Sequence, residues 1–266
     1  MARTTVKLPS NLVEQLDRLR PVALDQMQDL ALLRRTDVKY LIPRGALPGL
    51  LAAARDTYRV LEVDGLRLQR YETLYFDTPA LDLYLLHHNR SRRRFKVRSR
   101  RYLESDIAFL EVKLKDRGDR TVKVRRRTDN LVTALSAASL RFVESATDNP
   151  GVALETLSPT LWNAFSRIAL ASPQYGERVT LDLSVLLCRG AQTVQLHDWA
   201  IVEVKSASAS RNSPIAQQLR DLGLRPTGLS KYCMGVAALW PEVKHNRFNR
   251  KLRLIAPDDK ENHRVD

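Results

Sequence analysis

Arg94–Arg100 reads R-F-K-V-R-S-R, Leu110–Lys115 reads L-E-V-K-L-K, and Val122–Arg125 reads V-K-V-R. In each stretch a charged residue, cationic in all cases but one, occupies every second position. Because successive side chains of a strand point to opposite faces, this period of two predicts three strands with one charged and one apolar face each. An ordinary solvated face mixes both signs of charge. Neighbouring strands that share one sign therefore indicate a surface that holds a strongly anionic ligand.

The composition of the chain agrees with an anionic partner. Its 266 residues are 44% hydrophobic, which is enough for one domain with a sizeable core. The chain carries a formal net charge of +14. Such a charge implies nucleic acid, an acidic membrane surface or a polyphosphate as partner. The N-terminal residues contain no apolar stretch of signal-peptide type, and no apolar run reaches the roughly 18 residues that span a bilayer. We therefore expect a cytoplasmic protein.

The remaining segments predict an antiparallel sheet with flanking helices. Asp64-Gly65 separates two strand-like segments, residues 58–63 and 66–76, and favours a tight hairpin turn between them. Further strand signals lie at 161–170, 178–187, 193–196 and 200–205, and Ser230 is expected to cap a helix through Leu239. If the sheet closed into a barrel it could enclose a small polar ligand, and an open sheet is the alternative.

Two E-x-K units are candidates for metal-assisted phosphate binding. Glu111-Val112-Lys113 and Glu203-Val204-Lys205 each place a carboxylate and an ammonium on one face of a strand. Such a pair can hold a divalent cation beside a phosphate oxygen that the lysine also contacts. The alternative is a chance pairing on an exposed strand.

The adjacent histidines and the strand aromatics are expected to have structural roles. We expect His87 and His88 to be surface residues at a helix end, and Tyr71, Tyr75 and Phe76 to belong to the core. The chain contains no Walker A loop, no G-x-G-x-x-G, no G-x-S-x-G and no H-E-x-x-H. P-loop, dinucleotide-binding, serine-hydrolase and zincin functions therefore lack their usual sequence support.

Five short motifs, in one order along the chain, resemble the VTC domain. They are R-T-D-V-K-Y at Arg35–Tyr40, Y-F-D-T at Tyr75–Thr78, K-V-R-S-R-R-Y at Lys96–Tyr102, F-L-E-V-K at Phe109–Lys113, and L-S-K-Y at Leu229–Tyr232. The VTC domain is the catalytic domain of the vacuolar transporter chaperone complex, a polyphosphate polymerase, and its bacterial relatives. It belongs to the triphosphate tunnel metalloenzymes, which are related to CYTH domains.

The resemblance implies an α+β fold in which a closed antiparallel barrel of about eight strands forms a tunnel lined with lysine and arginine. It implies three parts of the chain: a helical segment at 1–33 that packs on the barrel, the tunnel domain at 34–240, and a basic, polar tail at 241–266.

The resemblance also implies the site residues, carried over motif by motif. Glu203 would bind the metal, Mn²⁺ or Mg²⁺. The catalytic residues would be Lys39, Arg98, Arg100, Lys113 and Lys231. The phosphate contacts would be Lys39, Arg98, Arg100, Lys113, Lys123, Arg167, Arg178, Lys205, Ser230 and Lys231.

The chain departs from related sequences at two places. Hydrolytic tunnel enzymes begin with E-x-E-x-K, where this chain has Arg35-x-Asp37-x-Lys39. The first carboxylate is thus replaced by a cation. This exchange favours phosphate binding over a metal site with several carboxylates, as in the VTC branch. Polymerases of the family often carry a further lysine two residues before the serine of the S-K pair, where this chain has Gly228.

The activity that the resemblance implies is transfer of the terminal phosphoryl group of ATP to a polyphosphate chain. One alternative is hydrolysis of an inorganic or nucleoside triphosphate at the same site, and another is binding of a polyanion without chemistry. The expected partners are ATP or another triphosphate and polyphosphate, and nucleic acid is not expected. Any attachment to a membrane would need a membrane-protein partner.

Overall fold

The computed structural model describes residues 8–29, 36–115, 121–148, 151–206 and 212–255. The helices in these ranges are α1 (Ser10–Asp17), α2 (Leu24–Asp29), α3 (Leu47–Ala54), α4 (Asp82–His88), α5 (Ala137–Thr147), α6 (Pro214–Asp221), α7 (Lys231–Leu239) and α8 (Asn249–Ile255). The strands are β1 (Arg20–Val22), β2 (Thr36–Pro43), β3 (Arg59–Leu61), β4 (Gln69–Asp77), β5 (Arg94–Tyr102), β6 (Ile107–Lys115), β7 (Thr121–Thr128), β8 (Ser158–Ser172), β9 (Glu177–Arg189), β10 (Gln192–Gln195) and β11 (Trp199–Ser206). None of the described helices has the length and hydrophobicity needed to cross a membrane.

A large, mainly antiparallel sheet confirms the expected α+β class. Its hydrogen-bonded order is β2-β11-β9-β8-β4-β5-β6-β7, with β10 beside β9 and β3 beside β8. The exception is β1, which pairs with β3 in parallel. Within the described ranges, hydrogen bonds do not close this sheet into a ring.

The chain divides into two compact units. Unit 1 consists of Met1–Arg70, Phe165–Val185 and Leu196–Leu229, and unit 2 consists of Tyr71–Ala164, Leu186–Gln195 and Ser230–Asp266. Each unit has a separate apolar cluster.

The core of unit 1 lies between one face of the sheet and helices α1, α3 and α6. Alternate residues of β9 and β11 face this core because a strand turns every second side chain to the same side. The helices contribute leucine and isoleucine at helical spacing, such as Leu47, Leu50 and Leu51 of α3. The other buried members include Leu12, Leu16, Val179, Leu181, Leu183, Val202, Val204, Ile215 and Leu219.

The core of unit 2 forms in the same way on the apolar face of the three basic strands. Phe95 and Val97 of β5 and Leu110 and Val112 of β6 are buried there, together with Val143 of α5. For β5 and β6 the alternation in the sequence therefore predicted correctly which residues face the core. Val122 and Val124 of β7 lie on the same side of the sheet, opposite Leu114 and Val112, but they are exposed.

The predicted turn at Asp64-Gly65 is present, but the strands beside it do not pair as a hairpin. Val63 and Leu66 form an isolated bridge, and the two turn residues have φ angles of 50° and 74°, as a tight hairpin turn requires. In the described residues, however, β3 pairs with β1 and β8, whereas β4 pairs with β5. The turn chemistry could be predicted from two residues, but the strand partners depend on distant parts of the chain.

Candidate functional site

Unit 1 brings predicted site residues together on β2, β11 and β9. Lys39 lies directly opposite Glu203, which lies directly opposite Thr180. Directly opposite residues share a face of the sheet, and this face is turned away from the core of the unit. Lys39 Nζ lies 2.7 Å from Glu203 Oε1, and Lys205 Nζ lies 3.1 Å from Glu203 Oε2. The carboxylate of Glu203 is thus shared by two of the predicted phosphate contacts.

The electrostatic surroundings keep the carboxyl group of Glu203 ionised. Burial would raise its pKa, but Lys205, Lys39 and Arg167 outweigh burial and lower the pKa far below its usual range. Burial also lowers the pKa of Lys205, with Glu203 opposing this fall and Arg167 adding to it. A carboxylate that is already ionised can bind a divalent cation without first losing a proton.

Arg167, another predicted phosphate contact, is held by a carboxylate that the prediction did not include. Its Nε and its terminal NH2 lie 2.5 and 2.8 Å from the two carboxylate oxygens of Asp182, a bidentate arrangement. Asp182 is 2% exposed. Arg178 lies two positions from Thr180 on the same strand and directly opposite Lys205, so it shares their face. In the sequence, Arg178, Thr180 and Asp182 alternate with Val179, Leu181 and Leu183, which places Asp182 on this face. This pattern carries no signal for its partner on β8.

The surroundings of Glu203 fit a divalent cation that is held in large part by a substrate. The hydroxyl oxygen of Thr180 is buried, and it has no hydrogen-bond partner among the described residues. Such an atom is costly to leave unpaired, and a metal-bound water or a phosphate oxygen would satisfy it. No cluster of three or more His, Cys, Asp or Glu side chains occurs within the described ranges. Mg²⁺ in phosphoryl-transfer sites uses one or two protein carboxylates together with water and substrate phosphates, so Glu203 is a candidate ligand for such an ion.

Unit 2 carries a second carboxylate surrounded by cations, on β5, β6 and β7. Glu111 lies directly opposite Arg98 on one side and Arg125 on the other. Its Oε2 accepts hydrogen bonds from Nε and NH2 of Arg98 at 2.7 and 2.6 Å, and its Oε1 forms an ion pair with Lys123. Arg98 and Lys123 are both predicted phosphate contacts. Glu111, which the sequence analysis treated as half of an E-x-K unit, is their common counter-ion.

The charges in this second group shift the pKa values of its members. Burial would raise the pKa of Glu111, but Arg98, Arg100 and Lys123 outweigh burial and lower it to about 2. Burial lowers the pKa of Lys123 to about 8, although Glu111 opposes this fall. Lys123 therefore carries its charge at neutral pH and loses it at moderately alkaline pH.

Tyr71 and Tyr75 are buried, as expected, but they lie on the charged side of β4 and contact the cations of unit 2. The Tyr75 hydroxyl lies 3.4 Å from NH1 of Arg98, and the guanidinium of Arg100 lies over the ring of Tyr71. Phe76 does belong to the core cluster of the unit. Aromatic residues of a strand beside an apolar helix were correctly expected to be buried. Their position in the alternation of β4 places Tyr71 and Tyr75 on the charged side and Phe76 on the apolar side.

Ser230 and Lys231 begin α7 in unit 2. The side-chain oxygen of Ser230 accepts a hydrogen bond from the backbone N–H of Cys233 at 3.3 Å, which confirms the predicted helix cap. Burial would raise the pKa of the Tyr75 phenol, but Arg98, Arg100 and Lys231 together lower it. Lys231 is thus electrostatically coupled to Tyr75, as Arg98 is.

The two adjacent histidines are not surface residues, contrary to the sequence analysis. His88 is 1% exposed, and its ring nitrogens lie 3.1 and 2.9 Å from the side-chain oxygens of Asn89 and Asn246. His87 is half-buried, and its Nδ1 lies 3.2 Å from Nζ of Lys96. A pair of adjacent histidines carries no information about such partners, because Asn246 is distant in sequence.

Most predicted contacts therefore lie on the charged face of one unit or the other. Lys39, Arg167, Arg178, Lys205 and Glu203 lie in unit 1, and Arg98, Arg100, Lys113, Lys123, Ser230 and Lys231 lie in unit 2. Arg35, which replaces a carboxylate of the hydrolytic enzymes, is outside the described residues. The roles of all these residues remain predictions.

Comparison with known proteins gives a family match and several structural similarities. A family model described as the VTC domain matches residues 34–240. No curated protein matches the sequence significantly. A structure from Bacillus halodurans, described as a "putative adenylate cyclase", is 13% identical with a TM-score of 0.49, covering 74% of this chain and 94% of that one. A Hippeastrum adenylyl cyclase candidate, described as having a dominant triphosphatase activity, is 18% identical with a TM-score of 0.48, covering 76% and 94%.

Proposed function

This chain belongs to the VTC domain family, and on that premise we propose that it is a polyphosphate polymerase-like phosphotransferase. It moves the terminal phosphoryl group of ATP to a polyphosphate chain, with Mn²⁺ or Mg²⁺ as its metal. The observation that supports this proposal most directly is the charge arrangement within each unit. In both units, cations from separate strands converge on one ionised glutamate, Glu203 or Glu111.

Such an arrangement suits the demands of phosphoryl transfer. The transition state is loose, with negative charge spread over the equatorial oxygens, so the protein mainly positions the groups and supplies counter-charge. Arginines such as Arg98 offer paired N–H donors to phosphate oxygens, and the lysines supply compact charges. Glu203, with the hydroxyl of Thr180 beside it, would hold the metal, which when bound neutralises charge on the phosphates.

The low proton affinity of the glutamates favours transfer over hydrolysis. An attacking water needs a general base whose pKa lies near the working pH. The pKa of Glu111 is lowered to about 2, and that of Glu203 is lowered even further below its usual range, by their cationic neighbours. Both carboxylates are therefore weak bases. The end of a polyphosphate chain is already ionised and needs no base, so it is the better acceptor at such a site.

The proposal is tested with purified full-length protein, ATP and Mn²⁺, following polyphosphate, free phosphate and ADP. We expect polyphosphate to form, with one ADP released for each phosphoryl group that is added to it. Release of phosphate without polymer would show that the protein hydrolyses ATP and would overturn the proposal. If no tested nucleotide yields either product, the protein is instead a polyanion-binding module.

The metal role of Glu203 is tested by a Glu203→Gln variant, with Glu144→Gln as the matched control. Glu144 is exposed on α5 in unit 2. We expect Glu203→Gln to abolish turnover while tripolyphosphate binding measured without metal persists, and Glu144→Gln to behave as the wild type. Unchanged turnover in Glu203→Gln would remove the residue from the metal role.

A further inference from the structure

Lys96 in unit 2 lies on the charged face of β5 but was not among the predicted phosphate contacts. Its neighbours in sequence, Phe95 and Val97, are buried in the core of the unit, so Lys96 points to the opposite side, with Arg98 and Arg100. Nζ of Lys96 lies 3.2 Å from Nδ1 of His87. The residue is thus held at the charged face by a partner that the phosphate-binding prediction did not use.

The hydrogen bonds of His87 determine which of its ring nitrogens carries the proton. Nε2 lies 3.1 Å from the backbone carbonyl oxygen of Phe95. A carbonyl oxygen can only accept, so Nε2 donates, and in the neutral ring Nδ1 is then an acceptor. Burial, followed by Lys96 and Arg94, lowers the pKa of His87 to about 2, so the ring is neutral. His87 therefore accepts a hydrogen bond from Lys96 and contributes no charge of its own.

Lys96 is also part of a row of three lysines across the sheet. It lies directly opposite Lys113 of β6, which lies directly opposite Lys123 of β7. Like charges directly opposite each other destabilise a sheet. Burial lowers the pKa of Lys96, Cys233 and Tyr75 oppose this fall, and Arg98 and Arg94 add to it. Lys123 is paired with Glu111, so an anion beside Lys96 would relieve the repulsion that Lys96 meets from its cationic neighbours.

Carboxylates compensate several of the other cations on these faces. Arg98 and Lys123 are paired with Glu111, and Lys39 and Lys205 with Glu203. Lys96 differs from them, since in the part of the chain that the structure describes no carboxylate lies within ion-pair distance of its Nζ.

We propose that Lys96 is a further phosphate-binding residue of the site described above, and that His87 is the positioning residue that holds the ammonium of Lys96 at the charged face. This rests on the proposed function for the class of ligand, an oligophosphate. An ammonium has three donors. One is used by the neutral ring of His87, and the others are available to phosphate oxygens, which would supply the negative charge that Lys96 lacks among the described residues.

The first test is tripolyphosphate binding by calorimetry, without metal or nucleotide, in Lys96→Met and in Lys244→Met as the matched control. Lys244 is exposed in unit 2, and only its backbone carbonyl is used, by the hydroxyl of Tyr84. A charge-assisted contact contributes about 1.5–3 kcal/mol, so we expect Lys96→Met to weaken binding about 10- to 100-fold. We expect Lys244→Met to bind within about twofold of the wild type.

Thermal unfolding of the same variants separates a binding role from a structural one. Because Lys96→Met removes an ammonium from among like charges, we expect its melting temperature to equal or exceed that of the wild type while its affinity falls. A variant that loses stability and affinity together, or that does not fold, would show that Lys96 supports the fold and would overturn the proposal. Unchanged affinity in a folded Lys96→Met variant would overturn it too.

The role of His87 is tested by His87→Phe, His87→Gln and the double variant His87→Phe/Lys96→Met. Phenylalanine keeps a ring but removes the acceptor, so we expect a loss of affinity of about fivefold or more. Glutamine offers a carbonyl oxygen in place of Nδ1, and we expect it to recover part of this loss. If His87 acts through Lys96, its replacement has no further effect in the Lys96→Met background. A full additional loss there would remove His87 as the positioning residue.

These binding measurements are independent of the polymerase assay. If the protein makes no polyphosphate but Lys96→Met still loses tripolyphosphate affinity, the proposed function fails and the inference on Lys96 stands. If polymer forms and Lys96→Met binds as the wild type, the proposed function stands and the inference fails.

Discussion

The phenolic hydroxyl of Tyr232 donates a hydrogen bond to the carboxylate of Asp77 in unit 2. Asp77 is fully buried, and it also accepts hydrogen bonds from the backbone N–H groups of Thr78, Leu83 and Tyr84 at 2.7, 2.8 and 2.9 Å. Two of these donors belong to the first turn of α4, which has no intrahelical partners for them. Asp77 thus joins the start of α4 to the first turn of α7.

Tyr232→Phe should destabilise the protein by about 1–3 kcal/mol, because a buried acceptor loses one of its donors. Tyr102→Phe is the matched control, since the hydroxyl of Tyr102 makes no hydrogen bond to the residues that the structure describes. The measurement is the free energy of unfolding in urea. Equal stability of the two variants would mean that the contact to Asp77 contributes nothing net.

The Asp77–Tyr232 contact shows what the sequence could and could not predict. Both residues fall in motifs of the family, Y-F-D-T and L-S-K-Y, so their importance could be predicted. Their contact could not, because a motif of four residues carries no information on a partner 155 positions away. The same limit applies to Arg167, which the family resemblance implied as a phosphate contact without indicating its partner Asp182 on the neighbouring strand.

Gly235 should not tolerate a side chain, because α7 packs closely on β8 at this point. A Cβ atom at Gly235 would lie 2.4 and 2.9 Å from the two terminal methyl carbons of Leu161, a fully buried residue. We expect Gly235→Ala to destabilise the protein by about 1–3 kcal/mol.

Gly45→Ala is the control for Gly235→Ala, as nothing lies within 4 Å of a Cβ atom at Gly45. Thermal unfolding compares the two. A melting temperature of Gly235→Ala as high as that of Gly45→Ala would mean that Leu161 can move aside at little cost.

Glu111→Gln should change how the stability of the protein depends on pH. The ion pairs of Glu111 lower its pKa from 4.5 to about 2, so the ionised carboxylate stabilises the fold above about pH 4.5. This contribution is lost as the pH falls towards 2. Removing one partner of a buried pair costs about 3–5 kcal/mol, and we expect the variant to be less stable than the wild type by this amount at neutral pH.

The difference between wild type and Glu111→Gln should shrink as the pH is lowered through this window, because the wild type loses its advantage. Urea unfolding of both proteins from neutral to acidic pH measures it. The other carboxylates titrate in both proteins and cancel in the difference. A gap that stays constant down to about pH 2 would contradict the lowered pKa.

Gly228→Lys should strengthen tripolyphosphate binding by restoring the lysine that polymerases of the family often carry before the S-K pair. No atom of the described residues lies within 4 Å of a Cβ atom at this position, so a side chain can begin there without a clash with them. One additional charged contact of about 1 kcal/mol corresponds to about a fivefold gain in affinity. Gly228→Gln, of similar length without the charge, is the control. If both variants bind equally, the added charge does not reach the ligand.

The period of two was the most informative signal in the sequence. It predicts which face of a strand a side chain occupies, but not which side chain of another element lies beside it. It predicted correctly that Phe95, Val97, Leu110 and Val112 turn to the core of unit 2. It did not predict that His87 would lie beside Lys96, since that contact depends on how α4 packs on β5. Strand periodicity is a local property of the chain, whereas the partners of charged groups are set by tertiary packing.

The sharing of Glu111 and Glu203 among their cationic neighbours has a consequence for selectivity. Within unit 2 an incoming anion must compete with Glu111 for Arg98 and Lys123, and within unit 1 it must compete with Glu203 for Lys39 and Lys205. A monovalent ion such as chloride replaces one carboxylate contact at best and gains little over water. A molecule with several negative groups at short, regular intervals can displace more than one contact in a single binding event. The two glutamates would thereby exclude simple anions from the cationic side chains, whereas linear chains of condensed phosphate would displace the glutamates and bind.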